Sequence, residues 1–215
     1  MSAPSHDTLA VAHVVCADAH TRVELIVSHL PRLAASAPPR AWYFADIPAG
    51  LEIALLHGSS DLAAAPALDG WLDDASASGL IVSSTRVSTS LVVDSGLFLG
   101  GRVPEFFLLA TARHSARAAT LLRDPVVDVR AEIDAIFTEL IVDNDRDRAL
   151  DLYASWLEHV ATGKAPRTAG PPPEWALQAS YVARLAHTQV VRLQGPESAV
   201  GLLNEAALVR TLVSS

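Results

Sequence analysis

The chain has 215 residues, half of them hydrophobic, and a formal net charge of −8 with a single lysine, Lys164. That length carries one large domain or two small ones, and that apolar content builds a sizeable core. No basic stripe is available to neutralise phosphates, which argues against DNA or RNA as a partner. The longest apolar run, "FFLLATA" (106–112), ends at Arg113, far short of the ~18 residues a membrane helix needs.

The opening "MSAPSHDTLA" has no basic n-region and no apolar h-region, so a cytoplasmic protein is expected. Cys16 is alone, which excludes a disulfide framework and a cysteine-based zinc site. Residues 8–15, "TLAVAHVV", alternate Leu9, Val11 and Val15 and read as a strand. A helix follows from Asp18 or Thr21; Thr21 and Glu24 fit a capping box, and Val23, Ile26, Val27, Leu30 and Leu33 form the inward stripe. "ASAPPR" (35–40) ends it. "AWYFADI" (41–47) and "LEIALL" (51–56) form a hairpin across "PAG". A helix over about 61–78 turns Leu62, Ala65, Leu68 and Leu72 inward, and "RVSTSLVV" (86–93) is a fourth strand.

This βαββαβ order predicts an α+β, ferredoxin-like fold: a four-stranded antiparallel sheet with helices on one face, followed by a C-terminal helical region. The expected helices there are 103–122, with Pro104 in its first turn, then 128–143, 146–161, 174–193 and 197–212. The Pro-rich loop 163–174 is a connection within one domain, 1–215. Arg86, Ser88 and Ser90 alternate onto one face of the fourth strand. A cleft between the sheet's second face and the helices after residue 103 is the expected place for a site.

No HExxH, Gly-rich phosphate loop or GxSxG elbow occurs, and "GLFLGGR" (96–102) lacks the spacing and lysine of a nucleotide loop. Neither a metal nor an organic cofactor is implied. His13 sits mid-strand as a satisfied core or cleft residue, while His57, His114 and His159 are expected to face solvent. The helix at 174–193 carries a core stripe, Leu177, Tyr181 and Leu185, and beside it a polar line of Ser180, Arg184 and His187, with Arg192 following. A histidine beside cations protonates less readily and can relay a proton near neutral pH. Pairing of Arg184 and His187 with carbonyls or acids of neighbouring helices explains the same line.

Three segments in order carry a resemblance. "AWYFADIPAGLEIALLHG" (41–58), "STSLVVDSGLFLGGRVPEFFLLATARHS" (88–115) and "AHTQVVRLQGPESAVGLLNEAAL" (186–208) resemble the C-terminal glutamate-elimination domain of class I lantibiotic dehydratases and the related stand-alone enzymes of thiopeptide biosynthesis. His187 falls where that family keeps its catalytic histidine. The family's carboxylate-binding arginines fall on Ile53 and Leu55, and its glutamate near the glycines falls about Ser95. Loss of bidentate arginine partners disfavours glutamate elimination.

The resemblance therefore implies a pyridine synthase of ribosomally made, post-translationally modified peptides (RiPPs). Such an enzyme joins two dehydroalanines by formal (4+2) aza-cycloaddition, with loss of water and leader peptide. It implies His187 for proton transfer, Tyr181 as a second hydroxyl donor, and Ser88 and Ser90 as hydrogen-bond partners of the reacting amide. Arg192 and Arg184 would orient peptide carbonyls. Arg86 and Glu105 join the substrate-binding set, although Glu105 at a helix start is also a first-turn stabiliser. The implied partner is the modified precursor peptide with its leader, bound at a sheet edge or the first hairpin. A stand-alone glutamate-elimination lyase and a non-catalytic leader-binding partner are the other readings. The oligomeric state is open.

Overall fold

β1 (Ser5–Cys16) is the strand on which the N-terminal half is organised: it pairs antiparallel with β3 (Gly50–Gly58) on one side and β4 (Ile81–Asp94) on the other. β2 (Ala41–Ile47) closes the hairpin with β3, giving the order β2-β3-β1-β4. This is the antiparallel ferredoxin-like sheet the element order predicts, followed by a C-terminal helical region. A two-residue strand, β5 (Val103–Pro104), adds to β4 in parallel. Pro104 thus lies in that short strand rather than in a helical first turn. The computed structural model describes residues 5–36, 41–47, 50–58, 64–94, 103–124, 126–141, 143–163, 174–195 and 198–213. The "GLFLGGR" segment, Ser95 and most of the Pro-rich loop lie outside these residues.

The chain divides into two compact units, Met1–Pro125 and Val126–Ser215. In the first, helix α1 (Ala19–Glu24) begins earlier than the Thr21–Glu24 box suggests. Asp18 is the cap: its carboxylate accepts the Thr21 N–H at 2.8 Å, and Thr21 Oγ1 accepts the Asp18 N–H at 2.9 Å. The Thr21 hydrogen bonds hold the Asp18 carboxyl below its ordinary range. The helix then widens into a π-helical segment, Leu25–His29, before α2 (Leu30–Ser36). The His29 carbonyl receives the Trp71 indole N–H at 3.2 Å, from α3 (Ala64–Ala77).

Strand alternation puts two different surfaces on the sheet. Val11, Ala41, Ala54 and Leu56 form one cluster with Leu108 of α4 (Glu105–Leu121), so α4 covers that face over β2 and β3. The opposite parity holds Ala10, Ala12, Val14, Leu51, Ile53 and Leu55, all at most 3% exposed. Arg86 stands opposite Ala12 in the β1–β4 register and bonds Asp69 of α3, which identifies this second parity as the α3 side.

The second unit is all helix among the described residues: α5 (Val129–Leu140), α6 (Asp143–Thr162), α7 (Glu174–Gln194) and α8 (Ala199–Val213). α5 buries Val129, Ile133, Ile136, Phe137 and, just beyond its end, Ile141, while Leu140 is half-buried. On α7 the expected Leu177–Tyr181–Leu185 stripe is only partly inward. Leu185 is buried, Leu177 and Tyr181 half-buried, and the helix packs instead through Ala179, Val182, Ala183, Ala186 and Val190. Alanines let α7 approach both α5 and α6 closely.

Two glycines give opposite expectations. Gly50 has φ +138°, and a Cβ there would lie 2.2 Å from the Val14 carbonyl oxygen of β1. Gly50→Ala should destabilise the protein by about 2 kcal/mol or more, read from urea unfolding. Gly70, on α3, is different: a methyl group added there would meet nothing within 4 Å. Gly70→Ala should stabilise by ~0.5–1 kcal/mol in the same experiment.

Candidate functional site

A buried carboxylate is the centre of the helical unit. Glu205 of α8 is 5% exposed and is reached from two other helices. The Tyr153 hydroxyl of α6 donates to Oε1, and His187 of α7 lies 3.1 Å from Oε2 through Nδ1. Sequence periodicity explains the convergence. Glu205 and Ala206, Val209 and Leu212 fall on one inward stripe of α8, all buried. Gly195, at φ +87°, ends α7 and donates its N–H to the Val191 carbonyl at 2.8 Å, and α8 follows a few residues later.

Because a carboxylate only accepts, the His187 proton sits on Nδ1 and the ring's lone pair on Nε2. The imidazole is packed edge-on against Trp156, centroids 5.3 Å apart at 76°. Trp156 continues a row of rings through Tyr153 (6.2 Å) to Phe137 (5.7 Å). The side chain keeps 23% of its exposure, against 3% for its carboxylate partner. The arrangement is an oriented, part-buried imidazole, and a ring so held is suited to taking up and returning a proton.

The other sequence-predicted residues divide between the units. Ser180 bonds back to the Ala176 carbonyl at 2.7 Å, which accounts for its place in the polar line. Arg184 is exposed and Tyr181 half-buried. Arg192 is fully buried and donates to Gln189 of the same helix at 3.3 Å. Arg86, Ser88, Ser90 and Glu105 belong to the N-terminal unit. The alternation expected of Arg86 is present, but on the other face: its register and its bond to Asp69 put it on the α3 side, not on the sheet's second face. Ser88 and Ser90 stand opposite Ala10 and Thr8 of β1, and Glu105 opens α4.

The histidines also differ from expectation. His57 and His114 are buried, at 2% and 4% exposure, instead of facing solvent, and His159 bonds the Ser155 carbonyl at 2.5 Å. His13 pairs with Glu52 across β1 and β3, Nε2 to Oε2, at 3.0 Å. Ile53 and Leu55 are both 0% exposed in the sheet core. Period-two alternation therefore leaves Glu52 and Ala54 as the β3 positions of the opposite face. Burial pushes the Cys16 thiol above its ordinary value, so it stays protonated at neutral pH and is no nucleophile. Among the described residues no group of three His, Cys, Asp or Glu could hold a metal, and no helix is long and apolar enough to cross a membrane.

No protein-family model matches the chain, and no curated protein is similar to it in sequence. Among solved structures it is similar to the crystal structure of the tRNA-dependent lantibiotic dehydratase MibB from Microbispora sp. 107891, with a TM-score of 0.54 and 15% identity. The match covers 93% of this chain and 28% of MibB. The likeness is one of fold, over less than a third of the larger protein.

Glu205, Tyr153 and Trp156 were not among the sequence-predicted residues. Removing the shared acceptor tests their coupling. Glu205→Ala removes the acceptor shared by the Tyr153 hydroxyl and the His187 N–H, and a loss of about 1–3 kcal/mol is expected from urea unfolding. Tyr153→Phe takes a donor from the buried Glu205 carboxylate and should cost about 1.5–3 kcal/mol.

Proposed function

We propose that this chain is a pyridine synthase of RiPP biosynthesis, joining two dehydroalanines of a modified precursor peptide with expulsion of water and leader. The fold it shares with part of a lantibiotic dehydratase supports a peptide-modifying role. What carries the choice of reaction is the β3 strand. A glutamate-eliminating site must hold a free carboxylate, and arginine is the residue suited to that. Here Ile53 and Leu55 are core residues at 0% exposure, and the part-exposed position between Leu51 and Ile53 is an acid, Glu52. A carboxylate facing Glu52 meets repulsion, whereas a heteroaromatic, amide-rich peptide does not.

In this reading the enzyme's main contribution is to fold a long peptide until two alkenes meet, and the barrier falls because the encounter is made intramolecular. Proton movements make up the rest. The amide that becomes the azadiene must pass through its imidic acid, and water and leader must leave with protons on their departing oxygen and nitrogen. His187, fixed by Glu205 and Trp156, is suited to those transfers. Arg184, exposed on the same helix, would orient peptide carbonyls. The leader would add to a sheet edge; β2 is one edge of the sheet.

The test is incubation with a leader-bearing, azole-containing peptide that carries two dehydroalanines, followed by mass spectrometry. A product lighter by water and by the leader is expected. Release of glutamate from a glutamylated serine peptide would instead identify the elimination lyase, and binding with no change in mass the non-catalytic partner. In the cyclisation assay, His187→Ala should lower stability, because Glu205 loses a donor, and at a temperature where the variant stays folded it should keep leader affinity but slow single turnover by about 10²-fold or more. A near-normal rate in the folded variant ends the catalytic role of His187.

A further inference from the structure

The geometry points to a second proton-transfer site, on the sheet, built from His13 and Glu52 and receiving an amide-bearing peptide segment; its chemical role rests on the cyclisation proposed above.

The β1 register puts His13 directly between Glu52 of β3 and Thr85 of β4, and Glu52 in turn opposite Ala45 of β2. Residues paired across a sheet share a face, so these four form one row. The neighbouring row on that face, Tyr43, Ala54 and Val11, is packed under Leu108 and Ala112 of α4. The His13 row is the first one past that cover. His13 and Glu52 keep 39% and 26% of their side-chain exposure, while the core residues alongside keep at most 7%. Thr85 is exposed, and so is Val15 at 40% in the next row.

The pair makes little sense as a fold device. A half-exposed ion pair or hydrogen bond contributes about 0–1 kcal/mol, and a β-branched apolar pair would suit mid-strand positions as well. As a chemical device it is complete. Glu52 accepts from Nε2, so the His13 lone pair lies on Nδ1. With Nε2 committed to Glu52, Nδ1 is the ring nitrogen left to accept a proton. The floor around the pair is low: Ala45 stands opposite Glu52, Ala54 lies two residues after it, and Gly50 lies two residues before it with no side chain at all. A peptide backbone can approach such a surface closely. Glu52 turns away carboxylates, so the segment received is neutral or cationic.

The step is a tautomerisation. Nδ1 of His13 takes the proton from an amide nitrogen while the amide oxygen gains one from water. The N–H bond breaks, an O–H bond forms, C–N becomes C=N and C=O becomes C–O. The imidazolium then returns its proton to the hydroxide left in solvent, and neither atoms nor electrons are gained or lost.

Two readouts test this on the full chain. The first is NMR of the histidine ring nitrogens, with His13 assigned by its disappearance in His13→Gln. A leader-bearing substrate peptide with both dehydroalanines replaced by alanine cannot react, and it should shift the His13 ring signals. The second is single turnover on the reactive peptide. His13→Gln should lose about 10²-fold in rate with leader affinity within about twofold, and Glu52→Gln should lose about 10-fold. His13 signals unmoved by the peptide overturn the site, as does a wild-type rate in His13→Gln. Should the wild-type protein form no macrocycle, the cyclase reading fails by itself. The ring signals still decide between an occupied and an empty sheet site.

Discussion

A carboxylate removed from water must find donors, and in this protein that requirement ties together three helices. Glu205 is 3% exposed at its side chain, so its desolvation costs several kcal/mol unless compensated. Tyr153 from α6 and His187 from α7 supply the compensation. Once those bonds are made, the axial rotation of α6, α7 and α8 is fixed, because each helix must present one particular side chain to the same point. The ring row Phe137–Tyr153–Trp156–His187 follows from that rotation. Exposed contacts then reinforce it: Arg210 of α8 bonds Glu158 and Asp151 of α6 at 2.9 and 2.7 Å. These are worth little individually, but the Arg210 bond does hold the Glu158 carboxyl below its ordinary range.

A different constraint governs the sheet. Side chains alternate with a period of two, so each strand residue is committed to one face by its neighbours. Leu51, Ile53 and Leu55 share the face that α3 covers; Glu52 and Ala54 then have no choice but the other surface. The same rule settles Arg86. Its alternation with Ser88 and Ser90 suggests a lining for the sheet's second face, but the register places Arg86 beside Ala12, and Asp69 receives it. Alternation reveals that two faces differ. It does not reveal which is covered, because that depends on where later helices land.

This difference marks what the sequence discloses. The βαββαβ order and the hairpin at 41–56 are local patterns, and each is present in the structure. Partners far apart in the chain are not local. Glu205 follows His187 by 18 residues and Tyr153 by 52; only the packing of three helices makes them neighbours. One signal was available, since Glu205 is an acid on an otherwise apolar stripe of the last helix. The buried line of α7 was harder to see, because it consists mostly of alanines that a search for large apolar residues passes over. His57 and His114 looked solvent-facing for the converse reason: histidine is polar by type but frequently buried by context.

Two imidazole–carboxylate pairs with the same logic stand in very different surroundings. In each, one ring nitrogen is committed to a carboxylate and the lone pair is thereby assigned to the other nitrogen. Glu205 is nearly dry and shared with a tyrosine, so His187 is held rigidly and its electrostatic partner is strong. Glu52 is a quarter exposed, so His13 is held more loosely and water can reprotonate it or carry its proton away. The proposed cyclisation asks for both kinds of behaviour. Imidic-acid formation exchanges protons with solvent, whereas expulsion of water and leader needs a proton delivered to a leaving atom at a defined place. An imidazole that has accepted a proton cannot accept another until it has given the first away. An open pair exchanges its proton with water readily and a buried one does not, so the two pairs suit transfers of different kinds.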